Sequence, residues 1–160
     1  VRPSIGVGPN NAAYIVGCGI AGPGGNGIFK LSGGLNGSWQ QLSGAATQIY
    51  VTSSGTPWVV NALGTVYALT GGTFQGLGIP ACATSLATTD KATWLVGCAS
   101  VGAGGNGVYG YRASLITGTT NYQQAWDQVP GGAVKIAVQT DGTPWVVNAL
   151  GDVYVLNHTL

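Results

Sequence analysis

Cysteine is the side chain in this sequence best suited to covalent chemistry, and there are three. If the chain reverses near Asp90 and Lys91, Cys82 and Cys98 fall nearly opposite one another, within the Cα separation a disulfide needs. A bridge there implies an oxidising compartment; the alternative is two reduced, buried thiols. Cys18 stands 80 residues before Cys98, and the same offset puts Arg2 where Cys82 stands, so Cys18 lacks the corresponding partner. It is read as an unpaired thiol, buried or available for an intermolecular bridge.

Other reactive groups are sparse. His158 is the only imidazole, there are four Asp and no Glu, and Asp90, Asp141 and Asp152 fall in turns. No two carboxylates are spaced as an acid and base pair, and no His, Cys and Asp cluster has metal-ligand spacing. The expectation is a protein without catalysis, cofactor or metal. The Gly-Gly-Asn-Gly runs Gly24–Gly27 and Gly104–Gly107 resemble a phosphate cradle only superficially, because no Lys-Ser or Lys-Thr and no helical pattern follows either. They are read as turns. Asn36-Gly37-Ser38 and Asn157-His158-Thr159 are N-glycosylation triplets, and with the cysteines they favour a secreted or cell-surface protein.

The elements that must position these groups are strands. With 29 Gly, no Met, few charged residues and many Val, Thr, Tyr and Trp, the chain suits short strands and tight turns better than helices. A hydrophobic content of 45% is enough to exclude disorder, and 160 residues can close around a core. A net charge of +1 without a clustered basic face excludes a nucleic-acid footprint. No apolar run approaches the roughly 20 residues of a membrane-spanning helix. A start at Val1 without a signal segment reads as a processed product or a piece of something longer.

Internal repetition is the strongest signal. Thr56-Pro57-Trp58-Val59-Val60-Asn61-Ala62-Leu63-Gly64 recurs unchanged as Thr143–Gly151, and each copy runs into a further strand, 65–69 and 152–156. Tyr14–Cys18 matches Trp94–Cys98, and Gly24–Phe29 matches Gly104–Tyr109. Each large repeat splits into two half-units: an outer strand with an aromatic, a small-residue strand, a Trp strand and a Tyr strand, joined by turns. Ser54-Gly55 and Asp141-Gly142 are read as two-residue hairpin turns. Four hairpin-linked strands per half-unit describe a propeller blade, covered on both faces by its neighbours, which accounts for the lack of alternation in Pro-Trp-Val-Val. The reading is an all-β propeller of about four blades, at 1–33, 38–70, 73–113 and 125–157. The first blade holds only Ser4–Val7, Ala13–Cys18 and Ile28–Leu31, so it lacks one strand.

The Trp, the Val-Asn pair and the following Gly-x-Val-Tyr resemble tectonin repeats, as found in tectonin-type lectins and related β-propellers. The resemblance covers nearly the whole chain at the level of its half-units. It differs in the Cys and Gly-Gly-Asn-Gly form of every second blade and in supplying fewer blades than such propellers close with. What the resemblance implies is a lectin module that binds neutral glycans. Trp39, Trp58, Trp126 and Trp145 serve first as packing between blades. Their alternative role is to stack on sugar faces beside the amides of Asn61 and Asn148. A second functional reading is a structural extracellular protein whose copies complete one another's blades into closed rings or filaments, by strand addition at unpaired edges.

Overall fold

The computed structural model describes residues 3–78, 82–111 and 126–157, and among these every regular element is a β-strand. The fold is an all-β propeller type. The chain divides into two compact units, one ending at Gly76 and the other beginning at Leu77.

The first unit holds two four-stranded meanders. β1 (Ser4–Val7), β2 (Ala13–Gly22), β3 (Gly25–Ser32) and β4 (Ser38–Ala46) form one sheet in chain order. β5 (Gln48–Val51), β6 (Pro57–Val60), β7 (Val66–Thr70) and β8 (Thr73–Gly76) form the next. Tyr14, Val16 and Ile28 of the first sheet pack with Ala46, Ile49 and Val59 to make the core between the sheets.

The second unit repeats this plan. β9 (Ala83–Thr88), β10 (Thr93–Gly102), β11 (Gly105–Tyr111) and β12 (Trp126–Ala133) pair in chain order, followed by β13 (Lys135–Val138), β14 (Pro144–Val147) and β15 (Val153–Val155). Its core uses the matching positions Trp94, Val96, Val108, Ala133, Ile136 and Val146. A Tyr in one unit and a Trp in the other fill the same place, so equivalent volume, more than identity, is what the repeat preserves.

The grouping of strands into sheets corrects the sequence reading by one strand. Trp39 was expected to open the second blade, but β4 pairs with β3, with Leu31 opposite Trp39 and Ile28 opposite Leu42. Likewise Phe74 closes the second sheet and Trp126 the third. The first sheet is therefore complete, and the sheet with three described strands is the last. The cause is local chemistry. Gly33–Gly37 looks like a blade boundary but is the β3–β4 hairpin, with Gly33 and Gly34 at φ 89° and 75°. The true crossing between sheets is one residue, Thr47, whose N–H donates to the Val60 carbonyl at 2.8 Å.

The Trp-strand hairpins also differ from expectation. Thr52 and Gln139 each donate to the carbonyl four residues on, at 3.0 and 2.9 Å, which leaves three-residue loops. Only Gly55 and Gly142 take positive φ there, 93° and 97°, so Ser54 and Asp141 are ordinary loop residues. β6 is buried along its whole length, as a strand covered on both faces should be, whereas β14 alternates buried and exposed.

Candidate functional site

In each unit a cavity opens between the two sheets, where the turn linking the second and third strands of one sheet meets the turn after the Trp strand of the next. The first, of about 550 Å³, is lined by Ala21–Gly24, Ile28, Ser43–Ala45, Val59, Asn61, Leu63, Tyr67, Thr73 and Phe74. The second, of about 320 Å³, is lined by Gly104, Val108, Pro130–Gly132, Val146, Asn148 and Tyr154–Leu156. Gly24, Ile28, Ser43–Ala45, Val59, Asn61 and Tyr67 correspond by repeat position to Gly104, Val108, Pro130–Gly132, Val146, Asn148 and Tyr154. Among the described residues no charged side chain lines either cavity.

The same short-range chemistry builds both sites. Asn61 Oδ1 accepts from the N–H groups of Leu63 and Thr65, both at 2.9 Å, and Asn148 Oδ1 from Leu150 and Asp152 at the same distances. Each turn so formed presents one outward N–H to the neighbouring sheet. Ala62 donates to the Gly24 carbonyl at 2.8 Å and Ala149 to the Gly104 carbonyl at 3.0 Å. The Gly-Gly-Asn-Gly runs thus do more than turn. Asn26 and Asn106 each reach back to a carbonyl of the strand before, Gly17 at 2.6 Å and Gly97 at 2.9 Å. A Cβ on Gly25 would stand 2.6 Å from the Ala46 carbonyl oxygen, and on Gly105 2.7 Å from that of Ala133, at φ of 122° and 115°. Only glycine fits there.

Placed on this geometry, the expected glycan-contact residues separate. Asn61 and Asn148 line the cavities, although their carbonyl oxygens are committed to the turns and Asn148 Nδ2 also donates to Asp152 at 3.1 Å. Trp58 and Trp126 are 8% and 5% exposed, so they present no ring face to a ligand; Trp126 stacks obliquely on Tyr111 and donates to the Leu77 carbonyl at 3.1 Å. Trp39 and Trp145 are exposed but line neither cavity. The rings that do are Tyr67, Phe74 and Tyr154. Sequence reasoning passed them over by favouring Trp; the recurrence of Gly-x-Val-Tyr after the Asn turn was the signal that marked two of them.

Cys82 and Cys98 form a disulfide with Cα atoms 5.3 Å apart, joining the start of the first strand to the second strand of that sheet. Cys18 is free and exposed, which replaces the buried-thiol expectation, and Arg2 lies outside the described residues. Asn36 is exposed in the β3–β4 turn; Asn157 is exposed, while His158 and Thr159 lie outside the described residues. The Thr143 backbone N–H, donating to Asp141 at 2.9 Å, holds that carboxyl below its usual range, in a loop that lines neither cavity. Among the described residues no His, Cys, Asp and Glu group could hold a metal, and no helix is long and apolar enough to cross a membrane.

The sequence model of the Tectonin domain matches residues 20–159. No curated protein matches. Among solved structures, the chain resembles YCF48 bound to D1 peptide, at TM-score 0.60 and 16% identity, covering 96% of this chain and 50% of that one. It also resembles PorZ, a bacterial surface component of the type-IX secretion system of Porphyromonas gingivalis, at TM-score 0.56 and 13% identity over 98% of this chain and 21% of that one. A third similar structure is the extracellular domain of the putative one-component system BT4673 from B. thetaiotaomicron, at TM-score 0.55 and 14% identity over 96% and 24%. The chain spans half or less of the length of each.

Proposed function

Because the chain belongs to the Tectonin domain family, we propose that it is an extracellular, non-catalytic β-propeller module that binds neutral glycans in the repeated cavities between its sheets. The observation that carries this reading is that one uncharged, aromatic-lined cavity recurs at equivalent positions in both units. An apolar wall with a ring suits the C–H face of a sugar, and the hydroxyls of Ser43 and Thr73 with the glycine-rich backbone suit its polar edge. With no charge to neutralise, affinity should not depend on salt. Two like sites on one chain would raise the avidity for a ligand that reaches both. The Cys82–Cys98 disulfide, the exposed Asn36 sequon and the structural likeness to a bacterial surface component and to an extracellular domain support the extracellular placement.

A glycan array that includes methylated sugars tests the proposal. Binding is expected to neutral saccharides, with Tyr67→Ala lowering affinity by about tenfold through loss of a stacked ring. An array blank across neutral and methylated sugars, or binding untouched by Tyr67→Ala and Tyr154→Ala together, would overturn it.

A further inference from the structure

In the turn after the Trp strand every backbone N–H is satisfied within the protein. Asn61 donates to the Thr65 carbonyl at 3.0 Å, Ala62 to Gly24 at 2.8 Å and Gly64 to Asn61 at 3.0 Å, while Leu63 and Thr65 both donate to Asn61 Oδ1 at 2.9 Å. The Asn148–Asp152 turn repeats all five bonds. A loop in water has no need of this, because solvent satisfies its exposed N–H groups; a loop that enters an aprotic medium does. The residue at the apex of each turn is nevertheless a leucine left in the open, Leu63 at 71% and Leu150 at 73% exposed.

Leu63 has apolar company. Ala21, near the tip of the β2–β3 hairpin, lines the same cavity as Leu63, and Ile20 beside it is 85% exposed. The β10–β11 hairpin of the third sheet is likewise exposed from Cys98 to Ala103, with Val101 at 46%, so this exposure belongs to the repeat and not to either end of the sequence. The rim in the first unit also lacks charge. Residues 17–27, 43–47 and 61–65 contain no Asp, Glu, Lys, Arg or His, whereas Asp152 puts an exposed carboxylate into the matching turn of the second unit.

We propose that the rim formed by Ile20, Ala21 and Leu63 is a docking surface for an uncharged lipid bilayer, whose interfacial layer takes up these side chains. Two observations select lipid over a protein partner. The Asn turn offers a partner no free N–H with which to bond, and the apolar side chains stand on two narrow projecting turns, which a fluid interface accommodates without a shaped counterpart. The absence of charge matches a zwitterionic surface: the rim gains nothing from anionic headgroups and has no ionic group to strip of water. The proposal stands whatever the cavity binds.

The test is co-sedimentation of the whole chain with phosphatidylcholine vesicles, which carry no sugar, so its outcome and that of the glycan array are independent. Binding is expected at about millimolar lipid, changed by less than about twofold when salt is raised to about 1 M or when phosphatidylserine is added. Ile20→Ser with Leu63→Ser should weaken it by about tenfold or more, since two exposed apolar side chains are lost. Leu63→Ile, which keeps the apolar volume, should bind within about twofold of the parent. Leu35, 78% exposed in the β3–β4 turn away from this rim, is the control, and Leu35→Ser should change binding by less than about twofold. A nitroxide on the lipid chain should broaden the amide signals of Ala62–Gly64 and leave Gly55, at the other end of β6, sharp. Absent binding, binding that needs anionic lipid and falls with salt, an equal loss in Leu35→Ser, or broadening at Gly55 would each overturn the proposal. So would sedimentation velocity showing that the parent chain pairs with a second copy through Ile20 and Leu63.

Discussion

The second and fourth sheets contain the same nine consecutive residues, Thr56–Gly64 and Thr143–Gly151, and they differ in what surrounds them. Their backbones agree: Trp58 pairs with Ala68 and Trp145 with Val155, and the Asn turns have the same bonds at the same lengths. Their burial does not. Trp58 is 8% exposed and Trp145 39%, and Val66 is fully buried where Val153 is 61% exposed. Nine identical residues therefore settle strand, turn and pairing, while the energetic weight of each side chain is set by what covers it.

The largest expected effect breaks that comparison at the Trp. Trp58→Ala should cost about 3–5 kcal/mol, as truncation of a buried aromatic does, and Trp145→Ala about 1 kcal/mol or less. Urea midpoints of the two variants read the difference, and equal losses would show the surroundings to be alike. A second contrast separates the units by covalent chemistry. Cys82 and Cys98 close a loop with a sequence separation of 16, and reducing it should cost about 3 kcal/mol. Amide exchange should quicken across β9–β12 and leave β1–β4, where Cys18 is free, unchanged. The smallest effect sharpens what the twins share. Asn61→Ala and Asn148→Ala each remove an acceptor of two backbone N–H groups and should cost about 1–2 kcal/mol, within about 0.5 kcal/mol of each other. Thermal melts check this.

These contrasts also mark how far the sequence alone could be read. Strand identity and turn positions were legible because glycine and Asn punctuate Val-, Thr- and Trp-rich runs at repeated intervals. The Cys82 and Cys98 juxtaposition followed from the β9–β10 hairpin, whose pairing puts Gly97 opposite Ala83. The phase of the blades was not legible. A one-residue corner at Thr47 carries no breaker, whereas the five residues Gly33–Gly37 inside a sheet look like a boundary. Nor were the cavities, since the runs Gly24–Gly27 and Gly104–Gly107 read only as turns, and only folding brings Gly24 to one cavity with Tyr67 and Gly104 to the other with Tyr154. Burial separated Trp58 from Trp145 even though both stand in the same nonapeptide, so no local rule could have told them apart.

The central functional claim is that an uncharged cavity, repeated with the fold, is the binding site. Titration calorimetry with the best neutral saccharide, at low salt and at about 1 M, tests it most directly. An affinity unchanged by salt and lost in the Tyr67→Ala, Tyr154→Ala double variant is the predicted result. An affinity that collapses with salt, or survives the double variant, would contradict it.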